Sequence, residues 1–411
     1  MAMVLADLAR ARKGTGRRRA TLGKCWRSCN SARAMILVCE PLCEGYEHVE
    51  FNAALLCAVQ KGLGEPVMFL AEAGHLGLVA KRAAEVGLAG ASFRALGPAG
   101  RAPGLSGALR EMRRHREALA LARHRGARAV VFSSTGPAGL FALKLLCAGA
   151  SPPCVVVPHG ILDSLGPDGR DRWFPSVLRM RNPAALRYLF LSSTIESEVL
   201  SRVPGLAGAT ASVDHPYLFA EPPGHEPAPP PLRLGSLGVA RGGRGLDALV
   251  EVAREALATR SGKASFVHVG PVQDPDLAEK ARDVVSFPLR GWAARADYER
   301  EVAQVDYALF LASPDAFRFS VSGAFLDAVS MLRPVIALRN PFFEHCFEQM
   351  GDIGYLCDSV WQVQELLGEL TQRFPRSHYR AQQEQLRQGR AVFGPEAVGA
   401  AVRAAFEGWG V

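Results

Sequence analysis

The sequence predicts an α/β protein built from two open parallel sheets that face each other across a cleft. Three observations carry this prediction. Short runs of aliphatic and β-branched residues alternate with amphipathic stretches, the pattern of buried parallel strands covered by helices on both faces. The stretch Glu221–Pro231 holds six prolines in eleven residues, too many for helix or sheet, and the alternation restarts after it. The chain of 411 residues suits two or three domains at roughly 100–200 residues each.

In the first half, Ile36–Cys39 reads as a buried strand and Val49–Lys61 as the helix that covers it. Pro66–Ala71 is the next strand, followed by a helix over His75–Val86. Arg128–Ser133 is a strand, Pro137–Leu146 a helix, and Cys154–Pro158 and Tyr188–Ser192 two further strands. After the prolines, strands are expected at Leu232–Leu237, Ser265–Val269, Val284–Phe287, Tyr307–Leu311 and Pro334–Leu338. Helices are expected at Gly245–Thr259, Leu277–Arg282, Ala296–Val305 and Gly323–Met331. The end, Gln362–Glu407, is helical with breaks at Pro375 and at Gly394-Pro395. The expected organisation is therefore a first domain over 35–220, a proline-rich linker over 221–231, and a second domain over 232–385. Helices over 386–411 are expected to pack back on the first domain. No repeat of 20–50 residues is visible.

The formal charge of +8 invites a nucleic-acid reading, but its location argues against one. Nine of the 48 Lys and Arg lie in residues 1–34, with the single acid Asp7, which leaves 39 bases and 39 acids in the rest. Residues 1–34 read as a disordered basic extension, and Met35, which opens a buried strand at once, is a candidate start. The extension lacks the apolar run of a secretory signal. Nine cysteines, an odd number in a chain this large, suit reduced thiols in a cytoplasm rather than a disulfide framework. Cys39-x-x-x-Cys43 has no second Cys/His pair at zinc spacing, so no metal is expected. No run reaches the roughly 18–20 apolar residues of a membrane span.

Two stretches carry the chemistry. In Pro314–Leu338, PDAFRFSVSGAFLDAVSMLRPVIAL, a polar turn follows a strand and opens a helix at Ser320, Ser322 and Gly323. Serines are good helix caps, and a helix N-terminus with small residues before it also suits a phosphate. In Leu234–Asp247, LGSLGVARGGRGLD, Gly238, Gly242 and Gly243 let backbone approach a ligand while Arg241 and Arg244 supply charge. That loop fits neither the phosphate-loop NTPase pattern nor the dinucleotide fingerprint. The following strand, SFVHVGP, ends at His268-x-Gly270.

The order of these pieces, together with PVIA after an acid-bearing helix, resembles the nucleotide-sugar-binding domain of the GT-B glycosyltransferases, and most closely the retaining family-four group. The resemblance covers about residues 230–360. In the first half, ILVCEPLCEGYEHVEF resembles that fold's opening strand and acceptor-side loop. It implies two Rossmann-like open sheets with the donor bound between them and the halves closing about the proline hinge. The family's signature is Glu-x7-Glu ahead of the Pro-Val-Ile strand. Here Asp327 stands in the second position, implying a ribose contact, and Phe319 stands in the first, where the family keeps a sugar-contacting acid. Asp315 is a candidate substitute. Arg241 or Arg244 corresponds to the family's loop lysine, and Gly270 joins the donor site. Gly45 and His48 lie in the acceptor-side loop, and His159 follows the strand CVVVP, where it is a candidate for hydrogen bonding sugar or phosphate. Glu40 is a lesser acceptor-side candidate, and His215-Pro216-Tyr217 reads as a hinge element.

The implied activity is transfer of a sugar from a nucleoside diphosphate to an acceptor hydroxyl, in cell-surface polysaccharide or glycolipid synthesis. The nucleotide sugar is substrate, and neither cofactor nor metal is expected. The alternatives are a sugar-nucleotide epimerase of the same fold and a non-catalytic binding scaffold. Expected partners are the nucleotide sugar and a glycan or lipid-linked acceptor, without nucleic acid. Arg110–Arg128 places seven Arg and two His in nineteen residues, either a solvated helix or a patch for anionic membrane. The expected location is cytoplasmic, with the inner membrane face as a further possibility.

Overall fold

The computed structural model describes residues 35–97, 104–149, 151–166, 169, 171–222, 224, 231–240, 245–259, 262–289, 291–313 and 315–411. The basic extension, most of the proline-rich linker, and Arg241, Gly242, Gly243 and Arg244 lie outside these residues.

The first half runs β1 (Ile36–Cys39), α1 (Val49–Leu63), β2 (Val67–Ala71), α2 (Ala73–Glu85), β3 (Ser92–Ala95), α3 (Leu105–Arg125) and β4 (Ala129–Phe132). It continues through α4 (Pro137–Leu146), β5 (Cys154–Val156), α5 (Phe174–Arg179), β6 (Leu186–Phe190), α6 (Ser193–Arg202) and β7 (Thr210–Ser212). The second half runs β8 (Leu232–Leu237), α7 (Leu246–Thr259), β9 (Ala264–Val269), α8 (Pro275–Ala281), α9 (Arg295–Val302) and β10 (Tyr307–Phe310). After it come α10 (Gly323–Ser330), β11 (Val335–Leu338), α11 (Pro341–Met350), β12 (Gly354–Cys357), α12 (Val360–Gln372), α13 (Arg376–Gly389) and α14 (Pro395–Gly408).

Two parallel sheets result, a seven-stranded one ordered β3-β2-β1-β4-β5-β6-β7 and a five-stranded one ordered β12-β11-β10-β8-β9. The period-2 alternation of strands explains how each sheet fills two cores. In β1, Ile36 and Val38 enter one cluster while Leu37 and Cys39 enter the other. In β10, Tyr307 and Leu309 point to one side, Ala308 and Phe310 to the other. All four residues of β1, β4, β10 and β11 are buried, which is why these strands stand out as apolar runs.

Some elements differ from expectation. The predicted strand at Val284–Phe287 makes only one bridge, Val267 to Ser286. β3, β7 and β12 were not foreseen; each is an edge strand, and SFRA and TAS carry no buried apolar run. The strand expected at Tyr188–Ser192 sits two residues earlier, because Ser192 accepts from Thr194 N at 3.2 Å and caps α6.

Two connections join the halves. The crossing segment after β7 docks on the second half, where Tyr217 N donates to Phe393 O at 2.8 Å. The chain then returns: α14 lies on α1, so close that a Cβ on Gly62 would stand 2.2 Å from Gly399 O. Arg403 Nε donates to Gly62 O at 2.6 Å, Lys61 pairs with Glu396, and Arg128 Nη2 reaches Val411 O at 2.6 Å.

Candidate functional site

In an open parallel sheet, ligands bind outside the carboxyl ends of the strands, at the point where strand order reverses. In the second half that point lies between β8 and β10. Gly238 leaves β8 with φ +91° and donates to Val269 O at 2.9 Å. Gly270 leaves β9 with φ +142°, and a Cβ there would lie 2.0 Å from Gly238 O. The two loops touch backbone to backbone, which only glycine allows. A Cβ on Gly238 would in turn stand 2.8 Å from Ala324 Cβ, so the loop after β8 abuts the start of α10. Ser322, 5% exposed, caps that helix by accepting from Phe325 N at 3.2 Å. Gly323 has open space where a side chain would be. Gly238, Gly270, Ser322 and Gly323 therefore lie at one sheet edge.

Asp327, one turn further along α10, is engaged elsewhere. Its Oδ1 accepts from Tyr217 OH and from Arg295 Nη1, both at 2.7 Å, and Arg295 Nη2 donates to Tyr217 OH. Tyr217 belongs to the crossing segment, so this carboxylate ties α10 and α9 to the connection between the halves. Burial, and then the Asp327 charge, pushes the Tyr217 phenol well above its ordinary range. His268 is also inside, its Nδ1 3.4 Å from Ser236 Oγ, and burial pushes it down to about 4. Asp315 is exposed and paired with Arg318.

The corresponding edge of the first sheet lies between β1 and β4. Glu40 follows β1 directly and is fully buried. Its Oε1 accepts from Leu42 N at 2.8 Å, from Cys43 N at 3.0 Å and from Ser134 Oγ; its Oε2 accepts from Ser133 Oγ at 3.0 Å. Burial opposes ionisation, but the nearby His48 and these hydrogen bonds outweigh it and hold the carboxyl below its ordinary range. In the same loop, Gly45 O accepts from His75 Nδ1 at 2.8 Å. His48, at φ +57°, places Nδ1 3.3 Å from Cys43 Sγ. Glu40, Cys43 and His48 bring ligand atoms within 4.8 Å of one another.

Three histidines from three segments then converge. The rings of His48 and His159 stack at 4.2 Å, and His159 meets His215 edge-on at 5.8 Å. Phe51 fills the space beside them, 4.6 Å from His159 and 4.9 Å from His215. Burial, then the neighbouring histidines, pushes His159 well below its ordinary value; burial pushes His215 down to about 4. Both are neutral imidazoles at pH 7. His159 Nδ1 is buried and has no hydrogen-bond partner among the described residues.

The segment after β10 joins the two edges. Phe319, 5% exposed, leaves the second half and enters the apolar core of the first, with Val321 packed against it. The Arg202 guanidinium lies 4.9 Å from the Phe319 ring, and Arg318 Nη1 is 3.5 Å from Glu198. Phe319, Ser320 and Val321 line a small pocket together with Val157, Pro158, His159 and Gly160 and with the apolar residues behind them. His159 and Ser320, read separately in the sequence, thus line one space.

No family model matches the chain, and no curated protein matches it in sequence. Solved structures do match. Sucrose-phosphate synthase of Thermosynechococcus elongatus aligns over 91% of this chain and 98% of its own, with TM-score 0.62 and 12% identity. HepE of Anabaena, in complex with UDP and glucose, aligns over 91% and 99%, with TM-score 0.61 and 13% identity. The chain has the GT-B fold. A candidate UDP-N-acetylglucosamine 2-epimerase of Listeria monocytogenes is also similar, over 92% and 96%, with TM-score 0.51 and 13% identity. At these identities the GT-B likeness concerns architecture.

Within the GT-B frame, two features were not read from sequence. One is the wedge made by Phe319, whose only signal was an aromatic in a position expected to be acidic. The other is Glu111 of α3, half-buried at the start of α4, where its Oε1 accepts from Gly136 N at 2.6 Å. Desolvation pushes this carboxyl up to about 7. The basic segment Arg110–Arg128 is also less uniform than its composition suggests. Arg114 is buried, with Nη1 and Nη2 donating to Pro41 O and Gly97 O at 2.5 and 2.8 Å, while Arg110, Arg113 and Arg116 are exposed.

Proposed function

We propose that the chain transfers a sugar from a nucleoside-diphosphate sugar to an acceptor hydroxyl. The observation that carries this reading is the convergence of Gly238, Gly270 and the capped N-terminus of α10 outside β8 and β10, beside a pocket shared by Ser320 and His159. The first-turn N–H groups of α10 suit a diphosphate, and Gly323 permits close approach. Arg241 and Arg244, with Gly242 and Gly243 between them, supply the cations that a leaving diphosphate needs. A metal is then not required at the diphosphate. Neutral His159 holds a hydrogen bond to sugar or phosphate, and Gly45 and His48 border the acceptor.

The retaining family-four chemistry, a hexosyl donor and a role in cell-surface polysaccharide or glycolipid synthesis belong to the same proposal. A lipid-linked acceptor fits the exposed Leu105 and Leu109 of α3, which lie beside exposed Arg110, Arg113 and Arg116. No helix among the described residues is long and apolar enough to cross a membrane. Two other readings each have one supporting observation. The likeness to a candidate epimerase supports isomerisation of a sugar nucleotide. Phe319 in the acidic position supports a scaffold that binds nucleotide without turnover.

A thermal-shift series with nucleoside diphosphates tests the proposal. Ligand at 100 times its Kd is expected to add about 2.7 kcal/mol of stability. Arg241→Ala with Arg244→Ala is expected to abolish the gain. No gain with any nucleoside diphosphate overturns the reading. Isomerisation of donor without acceptor selects the epimerase, and binding without turnover selects the scaffold.

A further inference from the structure

Sugar transfer leaves Glu40 and Cys43 without a task, and their surroundings are unusual. Glu40 is a fully buried carboxylate, and no Lys or Arg among the described residues forms an ion pair with it. The nearby Arg114 spends its terminal nitrogens on the Pro41 and Gly97 carbonyls. The Glu40 charge is held instead by hydrogen bonds from Leu42 N, Cys43 N, Ser133 and Ser134 and by the nearby His48. Cys43 Sγ and His48 Nδ1 lie beside it, and all three ligand atoms fall within 4.8 Å of one another.

We propose that Glu40, Cys43 and His48 form a zinc site on the loop after β1. Carboxylate, thiolate and imidazole are all zinc ligands, and three protein ligands leave a fourth tetrahedral position for water or a substrate oxygen. Tetrahedral zinc spaces its ligand atoms about 3.5 Å apart. Cys43 Sγ and His48 Nδ1 already stand at 3.3 Å, and contraction of about 1 Å at the widest separation closes the set. The charge also balances. Zn²⁺ displaces the thiol proton of Cys43, which leaves to solvent. The resulting thiolate and the Glu40 carboxylate together neutralise the ion, with His48 neutral.

The outer contacts are those of a ligand set held in position. Glu40 is oriented by Leu42 N, Cys43 N, Ser133 and Ser134. Asn52 Nδ2 lies 3.5 Å from Glu40 Oε2 and 3.0 Å from His75 Nε2, and His75 holds the Gly45 carbonyl of the same loop. Such second contacts orient ligands and fix the loop between them. The sequence reading set aside Cys39-x-x-x-Cys43 for want of a partner. The partners are Glu40 and His48, in the pattern Glu-x2-Cys-x4-His, while Cys39 points into the apolar core. The site does not depend on the sugar-transfer reading.

The full-length chain, stripped of metal, is titrated with Co²⁺ and the near-ultraviolet thiolate-to-cobalt absorption is recorded. One equivalent is expected to produce that band with the visible bands of a tetrahedral centre, and one equivalent of Zn²⁺ to remove both. Cys43→Ser is expected to lose the thiolate band, and His48→Gln to weaken binding by at least tenfold. Cys25→Ser with Cys29→Ser, in the basic extension, is expected to change neither. Cys43→Ser is nearly isosteric, so an unchanged metal-free melting temperature shows that it still folds. Absence of a one-to-one Co²⁺ complex overturns the proposal. A thiolate band that survives in Cys43→Ser, or disappears in the Cys25/Cys29 variant, also overturns it.

Discussion

Truncating Phe319 to alanine probes the contact that joins the two halves. The ring leaves the loop after β10, is 5% exposed and lies in the first-half core beneath the Arg202 guanidinium at 4.9 Å. Removing a core Phe side chain costs about 3–5 kcal/mol. This ring docks between two separately cored sheets, so the halves can relax around the loss, and the lower end, about 3 kcal/mol, is expected. Loss of the cation–π contact accounts for roughly 0.5–1 kcal/mol of that figure. Urea unfolding of wild type, Phe319→Ala, Arg202→Ala and the double variant measures both quantities. The double variant is expected to be less destabilised than the sum of the singles by roughly 0.5–1 kcal/mol. Phe319→Leu, which keeps most of the apolar volume, is expected to lose less than half of what alanine loses. A Phe319→Ala midpoint within about 0.5 kcal/mol of wild type, the range of an ordinary surface change, would refute the burial of the Phe319 ring.

Other perturbations reach different parts of the same architecture. Gly62→Ala drives a Cβ to 2.2 Å from Gly399 O and is expected to unseat α14, costing about 1–3 kcal/mol and exposing the α13–α14 connection to protease; an unchanged urea midpoint contradicts that packing. Glu111 is pushed up to about 7, so the folded state keeps a proton that the unfolded chain loses near pH 4.5. Its contribution therefore falls as pH rises from about 4.5 to about 7, by roughly 1–3 kcal/mol, and Glu111→Gln is expected to flatten that slope; parallel stability-versus-pH curves for the two proteins count against it.

The parts of this fold that were legible in sequence are those with strong local signals. β1, β4, β10 and β11 are buried on every residue, so their composition alone marks them. The breaks at Pro375 and Gly394-Pro395 fall between α12, α13 and α14 because proline and glycine act locally. Edge strands such as β3 are half solvated, and only pairing with β2 makes them strands. The contact between the loops after β8 and β9 was legible because Gly238 and Gly270 approach too closely for any side chain. The histidine cluster of the first half was legible only in part. His48 and His159 are 111 positions apart, and nothing local announces that their rings stack. Tertiary packing also decides what Asp327 does: its position in a family pattern suggests a ribose, while its neighbours Tyr217 and Arg295 occupy its Oδ1.

The two edges that border the pocket differ in charge, and the difference bears on which half holds which substrate. On the first-half side, His159 and His215 are neutral at pH 7 and Glu40 is an anion. On the second-half side, the N-terminus of α10 carries the positive end of a helix dipole, and Arg241 and Arg244 follow β8 in the sequence. Under the sugar-transfer reading, a donor diphosphate is therefore assigned to the second half and the hydroxyl acceptor to the first. Neutral His159 suits this division, because a buried imidazolium beside the acceptor would compete with α10 and the arginines for the diphosphate. Under that reading the net charge of +8 does not contribute: residues 35–411 hold 39 bases and 39 acids, and what orients a charged donor is the placement of a few groups at one sheet edge.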